Sequence, residues 1–351
     1  MKKLDSAALE AAVLGGLLLS AGGSGAASSA RHRELGEVAL AGGPVTLASL
    51  DSFSDGDALL VATAVGAPGH AAARTEPRDA VDAARALIEA SACEPKGVIP
   101  GHVPGLYAWI IAAALDIPVA DAATNGRAHP TVHMGGMGLA SQPEAVIWQA
   151  GCARGLRVVV QGDLMRTSNV MRAAAVQNGG LINAVRGPFS AGFVRRNGAP
   201  GAISFALSLG EAMLAARGPA RVAAAAAHLK GEILAIGEVT ENTVAYHAGF
   251  DVGAIRVGEV TLGVYNELMT AEAGGKRLAS FPDFLGSLDP DSGAPVAISA
   301  LNPGTRVAIV ATAMRNIPLG AGVFDPAVYP EVEAAMGVEL ASYALKERSS
   351  A

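Results

Sequence analysis

Between Asp121 and Leu139 the chain reads D-A-A-T-N-G-R-A-H-P-T-V-H-M-G-G-M-G-L, and no other segment crowds as many reactive side chains together. Asp121 can take or deliver a proton, Arg127 presents a rigid fork that suits a carboxylate or oxyanion, and His129 and His133 are imidazoles that titrate near neutral pH. Asn125 can orient a carbonyl or a water. Gly126 admits positive φ, and Gly135, Gly136 and Gly138 let main-chain N–H groups approach a ligand closely. Such a set suits an anionic or amide-like small molecule.

The same residues have plainer uses. Asp-Ala-Ala-Thr-Asn-Gly is also turn chemistry, and Asp121 can be a loop or helix cap. His129 and His133 stand at H-x-x-x-H, a spacing that zinc sites use on a helix, yet Pro130 occupies the place of the usual Glu. A non-ligand role for both imidazoles is the expectation, with no cofactor required. A divalent metal such as zinc is the alternative that the pair leaves open.

The polar stretch needs elements to hold it. Residues 117–120 form an apolar tetrapeptide that reads as a short buried strand, so the stretch begins just past a strand's carboxyl end, where open α/β sheets keep their ligand crevices. Upstream, residues 4–20 read as a helix capped by Asp5 or Ser6, and residues 29–40 and 106–115 as further helices. Another helix opens at Thr75-Glu76-Pro77 and runs to about Ala92. Strands are expected at 45–50, 58–65 and 97–100. This alternation implies a small, mostly parallel sheet with its loops on one edge, where Gly22, Gly23 and Gly25, Glu76 and His102 would meet Asp121. The glycines are equally a helix C-cap, Glu76 a partner of the helix dipole and His102 a loop histidine.

A β-hairpin is expected over 145–161, then helices at 164–177, 202–216 and 218–228. Beyond Gly231 the texture changes to short alternating strands at 232–239, 243–250, 254–262, 263–270, 277–280, 295–299 and 306–312. The expected fold class is an α/β N-terminal domain with a small mostly parallel sheet, residues 1–165, and a helical connection with a β-rich C-terminal domain, residues 166–351, the change falling near Asp163. In the second domain Asn266, Glu267 and Asp283 are polar landmarks that could face the first, although Asp283 is equally a turn residue.

Composition narrows the class. The 351 residues suffice for two domains, and 51% hydrophobic with only 4% aromatic means a core of Ala, Val, Leu and Ile. A net charge of −6 gives no basic footprint, so nucleic acid is excluded as an expected partner. The two cysteines, Cys93 and Cys152, suit a reducing compartment, and neither lies in a Cys-His nucleophile motif. Lys2-Lys3 ahead of an apolar run mimic a secretory signal, but Asp5 and Glu10 charge that region and it reads as a mature helix. The longest other apolar run, 106–115, is about half of the roughly 20 residues needed to span a bilayer. A cytoplasmic homo-oligomer acting on a small molecule, with no membrane partner, is expected.

Several motifs together carry a family resemblance. V-A-D-A-x-x-x-G-R-A-x-P from Val119 to Pro130, the helix followed by Ser20-Ala21-Gly22-Gly23-Ser24-Gly25, Gly66-Ala67-Pro68 with Glu76, Tyr265-Asn266-Glu267 and Phe281-Pro282-Asp283 occur in order along nearly the whole chain. In this it resembles the bacterial S-methyl thiohydantoin desulfurase-like family. It departs from the family at Ala21 and Ser24, at Ala122 to Asn125, and at His129 and His133, which fall where other residues are common.

The resemblance implies hydrolysis of an S-methylated thiohydantoin ring, water replacing methanethiol to leave a hydantoin. Asp121 and His129 are then candidates for base and proton donor, with Glu267 and Asp283 as further catalytic candidates. Arg127 would hold an acidic side arm of the substrate, and Asn125, His102, Glu76, Gly22, Gly23, Gly25 and Asn266 complete the binding set. Hydrolysis of a related cyclic amide, or binding without turnover, are the alternatives.

Overall fold

The computed structural model describes residues 1–23, 28–66, 75–247 and 250–346. Ser24 and Gly25 of the glycine loop, and Ala67 and Pro68, lie outside the described residues.

The opening helix, Ser6–Leu19, is apolar on every side, and such a helix is stable only inside a core. Asp5 caps it, accepting from Ala8 N at 2.9 Å. It crosses the helix Ala202–Ala215 so closely that a Cβ at Gly15 would overlap the Ala206 carbonyl, and one at Gly210 the Ala11 carbonyl. Only glycine lets the two backbones touch there.

The first sheet has eight strands in the order Lys2–Leu4, Val45–Ala48, Val119–Ala120, Pro95–Pro100, Ala58–Gly66, Leu181–Ser190, Ile147–Ala153 and Leu156–Gly162. Its centre, from Val45–Ala48 to Ala58–Gly66, is parallel, and the pairings outside that centre are antiparallel. The sheet is therefore larger and more mixed than expected. The hairpin joins it, and so does Leu181–Ser190, a strand from beyond Asp163 that inserts between the parallel centre and the hairpin.

The second sheet is antiparallel throughout and contains Glu232–Asn242, Ala245–His247, Phe250–Val257, Val260–Tyr265, Glu267–Ala273, Lys276–Ser280, Phe284–Leu288 and Arg306–Thr312. Its edge strands, Lys276–Ser280 and Phe284–Leu288, are consecutive in the chain, so the sheet curls until its edges face each other across Phe281, Pro282 and Asp283. In that link Phe281 N donates to Met269 O at 2.7 Å. The strands expected at 254–262 and 263–270 are shifted, because the turns fall at Gly258, with φ 57°, and Asn266, with φ 58°. Residues 295–299 make only a bridge from Pro295 to Leu288 and the start of a 3-10 turn, Ile298–Ala300.

The domains join at the carboxyl end of the opening helix. Ala128 N donates to Leu19 O at 2.9 Å, Leu268 N to Ala21 O at 2.8 Å and Ile298 N to Gly22 O at 2.8 Å. Among the described residues no helix is long and apolar enough to cross a membrane.

Candidate functional site

The residues singled out from the sequence separate into two clusters and several structural posts. The first cluster sits at the domain junction around Arg127. Asn125 turns the chain inward there: its Nδ2 donates to Arg127 O at 2.9 Å and its Oδ1 accepts from Gly320 N at 3.1 Å. The Arg127 guanidinium is fully buried, donating from Nε to Ala128 O at 3.0 Å, from Nη2 to Leu268 O at 3.2 Å and from Nη1 to Asp283 O. It also lies 4.8 Å from the Phe281 ring centre and 5.9 Å from that of Phe284. Arg127 is thus a strut between the domains, and the expected clamp on a substrate carboxylate is not its geometry.

Glu267 stands beside it. Its Oε1 lies 3.4 Å from where a Cβ of Gly23 would be, and its Oε2 is buried without a hydrogen-bond partner. Burial pushes its pKa up to about 8, against the pull of the Arg127 charge, while burial lowers Arg127 to about 10. Both shifts favour the uncharged forms, so desolvation outweighs the attraction between the two groups.

Other expected site residues serve the backbone. Asp121 accepts from Ser204 N at 3.0 Å and Ser204 Oγ at 2.6 Å, which makes it a cap on the first turn of Ala202–Ala215 instead of a base. Asp283 accepts from Met314 N at 2.8 Å and Ser280 N at 3.3 Å, turning the chain between the two edge strands. Asn266 holds its own turn, accepting from Asp251 N at 2.9 Å. Exposed Glu76 precedes Pro77–Ser91 as its N-cap, with its N–H given to Asp79 Oδ2 at 2.7 Å and its carbonyl accepting from Asn183 Nδ2 at 3.1 Å. Gly23 N donates to Ser20 O at 2.8 Å, so Gly22 and Gly23 end the opening helix.

The second cluster is a recess at the carboxyl edge of the parallel strands. One residue, Gly101, separates His102 from Pro95–Pro100, and Thr124 N donates to Pro100 O at 3.1 Å, which brings the 121–133 segment over the same edge. His102 is exposed to solvent although protein crowds around its ring. His129 faces it, ring centres 6.3 Å apart and edge to face. His129 Nδ1 is 2.8 Å from Thr131 O, so the neutral ring carries its proton there. Its Nε2 is buried and has no partner; the Gly101 carbonyl pulls on the ring but does not reach hydrogen-bonding geometry with that atom. Desolvation holds His129 down to about 3 and His102 to about 4, so both rings are uncharged at neutral pH.

His133 joins this side, its Nε2 also buried and unpartnered, and burial lowers its pKa. The segment between His129 and His133 is bend and turn, not helix, so the spacing does not create a shared helical face. Among the described residues no three His, Cys, Asp or Glu side chains gather as a metal-binding set.

One member of the recess was missed by sequence reasoning: Arg186. It is 3% exposed on the strand Leu181–Ser190, beside Val61, which is itself beside Ile99. Its charge acts on His102, His129 and His133. Its Nε has no hydrogen-bond partner, and burial holds its pKa down to about 10. The signal available was a lone charge inside the otherwise apolar run Ala184-Val185-Arg186.

A cavity of about 230 Å³ lies at His133, lined also by Thr131, Ser168, Arg172, Phe250 and Glu331. A larger hollow of about 350 Å³ lies elsewhere, at the hairpin turn near Asp82, Glu89, Cys152 and Arg157. Arg157 pairs with Glu89 there at 2.5 Å, and burial pushes the Cys152 thiol up to about 11, so that hollow offers no activated nucleophile.

The fold defines a class: an α/β domain with a mixed sheet, joined through one buried helix to a curled antiparallel β domain. Family models give that class its name, because "S-Me-THD-like, N-terminal domain" matches residues 7–161 and "S-Me-THD-like, C-terminal domain" matches residues 162–319. The chain belongs to the S-methyl thiohydantoin desulfurase-like (S-Me-THD-like) family. It shares its fold with a protein from Chromobacterium violaceum solved by X-ray crystallography, with a TM-score of 0.70 at 21% identity over 95% of this chain and 96% of that one. No curated protein matches the chain.

Proposed function

We propose that the protein is a hydrolase acting on a small heterocycle, replacing the methylthio group of an S-methyl thiohydantoin with oxygen from water to give a hydantoin and methanethiol. The observation that carries this reading is the unpartnered Nε2 of His129, an uncharged imidazole whose other nitrogen is tied to Thr131 O. Membership of the family over both domains supports it.

In this reading Nε2 takes a proton from water as the water oxygen attacks the carbon that bears sulfur. The C–S bond then breaks, and the proton returns to the departing thiolate, so one imidazole serves as base and then acid. A strongly depressed imidazole is a weak base, but an anionic group entering the recess raises its pKa back towards neutrality. The second proton of the water, left on the new hydroxyl, passes to the ring nitrogen as the product becomes the hydantoin.

The test is incubation with an S-methyl thiohydantoin, following methanethiol with a thiol reagent and hydantoin by mass spectrometry. Stoichiometric appearance of both supports the reading. Ring opening of a plain hydantoin without thiol release points to a cyclic amidohydrolase, and saturable binding without product points to a binding protein.

A further inference from the structure

We propose that the strand Leu156–Gly162 pairs antiparallel with the same strand of a second copy of this chain, joining the first sheets of the two copies edge to edge about a two-fold axis at Val159.

The two edges of the first sheet are built differently. One is Lys2–Leu4, three residues long, and its two lysines discourage a further strand. The other is Leu156–Gly162, seven residues that read L-R-V-V-V-Q-G and pair with Ile147–Ala153 without a bulge. It has no lysine or proline, and its one charge, Arg157, is drawn back to Glu89 at 2.5 Å. Edge strands usually carry such guards, because their unpaired N–H and C=O groups otherwise recruit another strand. This one has the composition of an interior strand. Val159 packs on the core beneath Pro77–Ser91 and Val158 on Ala174 and Ala175 of Leu164–Gln177, so both faces are covered, yet Val158, Val159 and Val160 all remain half-buried.

The hairpin decides which groups face outward. Its two-residue turn, Arg154-Gly155, makes Ala153 and Leu156 a hydrogen-bonded pair, so Leu156, Val158 and Val160 direct their main-chain groups to Ile147–Ala153. Arg157, Val159 and Gln161 direct theirs outward, and among the described residues no hydrogen bond reaches those groups. A two-fold at Val159 sets outward residue against outward residue along the whole edge: Arg157 opposite the second copy's Gln161, Val159 opposite its equivalent, and Val158 opposite the second copy's Val160 between them. The edge's one charge then meets a neutral amide, whereas a two-fold at Arg157 would oppose two guanidinium groups. The axis passes through the sheet, so each covering helix lies beside its own copy. On the Pro77–Ser91 side the residues near Arg157 carry both signs, Asp82 and Glu89 with Arg85, so two such flanks meet without a field of one sign between them.

Sedimentation of the wild-type protein over a dilution series, with hydrogen exchange read at single amides, tests the pairing. The chain should sediment as a dimer or an even multiple of it, with the N–H groups of Arg157, Val159 and Gln161 slow to exchange. Dilution to monomer should make those three fast, while Val158 and Val160 stay slow because they bond within the hairpin. Val159→Pro removes an outward donor where an edge strand tolerates proline, so it should weaken the dimer by roughly 10- to 100-fold with the circular dichroism unchanged. Gln161→Pro, nearer the strand's end, should do the same. A monomer at every concentration overturns the proposal, as does an oligomer whose three outward amides exchange quickly. Slow exchange of those amides in a monomer, or only beside a co-purified polypeptide, gives the edge another occupant and overturns it too. Either proline variant that folds and keeps the wild-type dissociation constant has the same force, and if Val159→Pro misfolds, Gln161→Pro and the wild-type exchange decide.

Discussion

Two buried arginines have opposite surroundings in this protein. Arg127 gives its donors to three main-chain carbonyls, lies against two phenylalanine rings and has Glu267 and Asp283 nearby. Arg186 is as deeply placed, and among the described residues its Nε has no hydrogen-bond partner and no carboxylate pairs with it. Cations of equal cost thus have different settings: one has its desolvation offset within the fold, and the other keeps a buried Nε without a partner. The junction around Arg127 holds the domains together, and the cluster of Arg186, His129 and His133 holds buried polar atoms without partners.

The largest expected effect separates these settings. Arg127→Met leaves three carbonyls at the junction without their donor, and removing one member of such a buried charged network costs about 3–5 kcal/mol. Chemical denaturation should show that loss, while the fraction that stays folded keeps its affinity for the ligand. A normal melting curve with lost affinity would move the binding role back to Arg127.

Within the recess, His129→Gln keeps a polar side chain but removes the base. Turnover should fall by roughly 100-fold or more, the usual contribution of a general base, with melting little changed. A variant that kept wild-type kcat would leave the free Nε2 without a catalytic meaning.

Why sequence reasoning found one cluster more easily than the other is a matter of direction. Helices and turns announce themselves through caps and apolar spacing: Leu164–Gln177 occurs with the bounds expected for it, and the hairpin Ile147–Ala153 with Leu156–Gly162 lies where it was read. The strand Leu181–Ser190 did not, because Asn183, Arg186, Gly187 and Pro188 break a strand pattern, and the register does shift between Leu59 and Val61 on its neighbour. The residue that hides the strand most, Arg186, is a charge buried on it. Arg127 was legible as a residue held by its turn, but a turn fixes where a side chain starts and not what it reaches, and it reaches carbonyls of the other domain. His129 and His133 were visible as imidazoles; Pro130 and the Gly135-Gly136 pair keep them off a helix.

Glu267 sharpens the comparison through pH. Its folded pKa, about 8, is above its ordinary value of 4.5, so the native state holds this proton where the unfolded chain has released it. The associated stability is fully present below about pH 4.5 and is lost as pH rises towards and through about 8, an effect on the order of 1–3 kcal/mol. Glu267→Gln, which cannot ionise, should flatten the melting temperature across that window. An unchanged slope would mean that the carboxyl is already charged beside Arg127. Turnover by the same variant separates proton donation from packing, because a proton donor loses kcat and a packing residue does not.

The smallest effect belongs to Asp121, the residue that looked most catalytic by type. Its two oxygens are occupied by Ser204 N and Ser204 Oγ at the start of Ala202–Ala215, the helix that crosses the opening helix at Gly15 and Gly210. Asp121→Ala removes a cap and should cost about 1 kcal/mol of stability, with kcat and KM unchanged at temperatures where the variant is folded. Asp121→Asn keeps an acceptor for the Ser204 N–H and should recover most of that loss, which a general base could not do, since an amide takes no proton near neutral pH. If Asp121→Asn instead melted normally and lost turnover, the carboxylate would have to leave Ser204 during the reaction, and the boundary of the recess would extend to the end of the Val119–Ala120 strand.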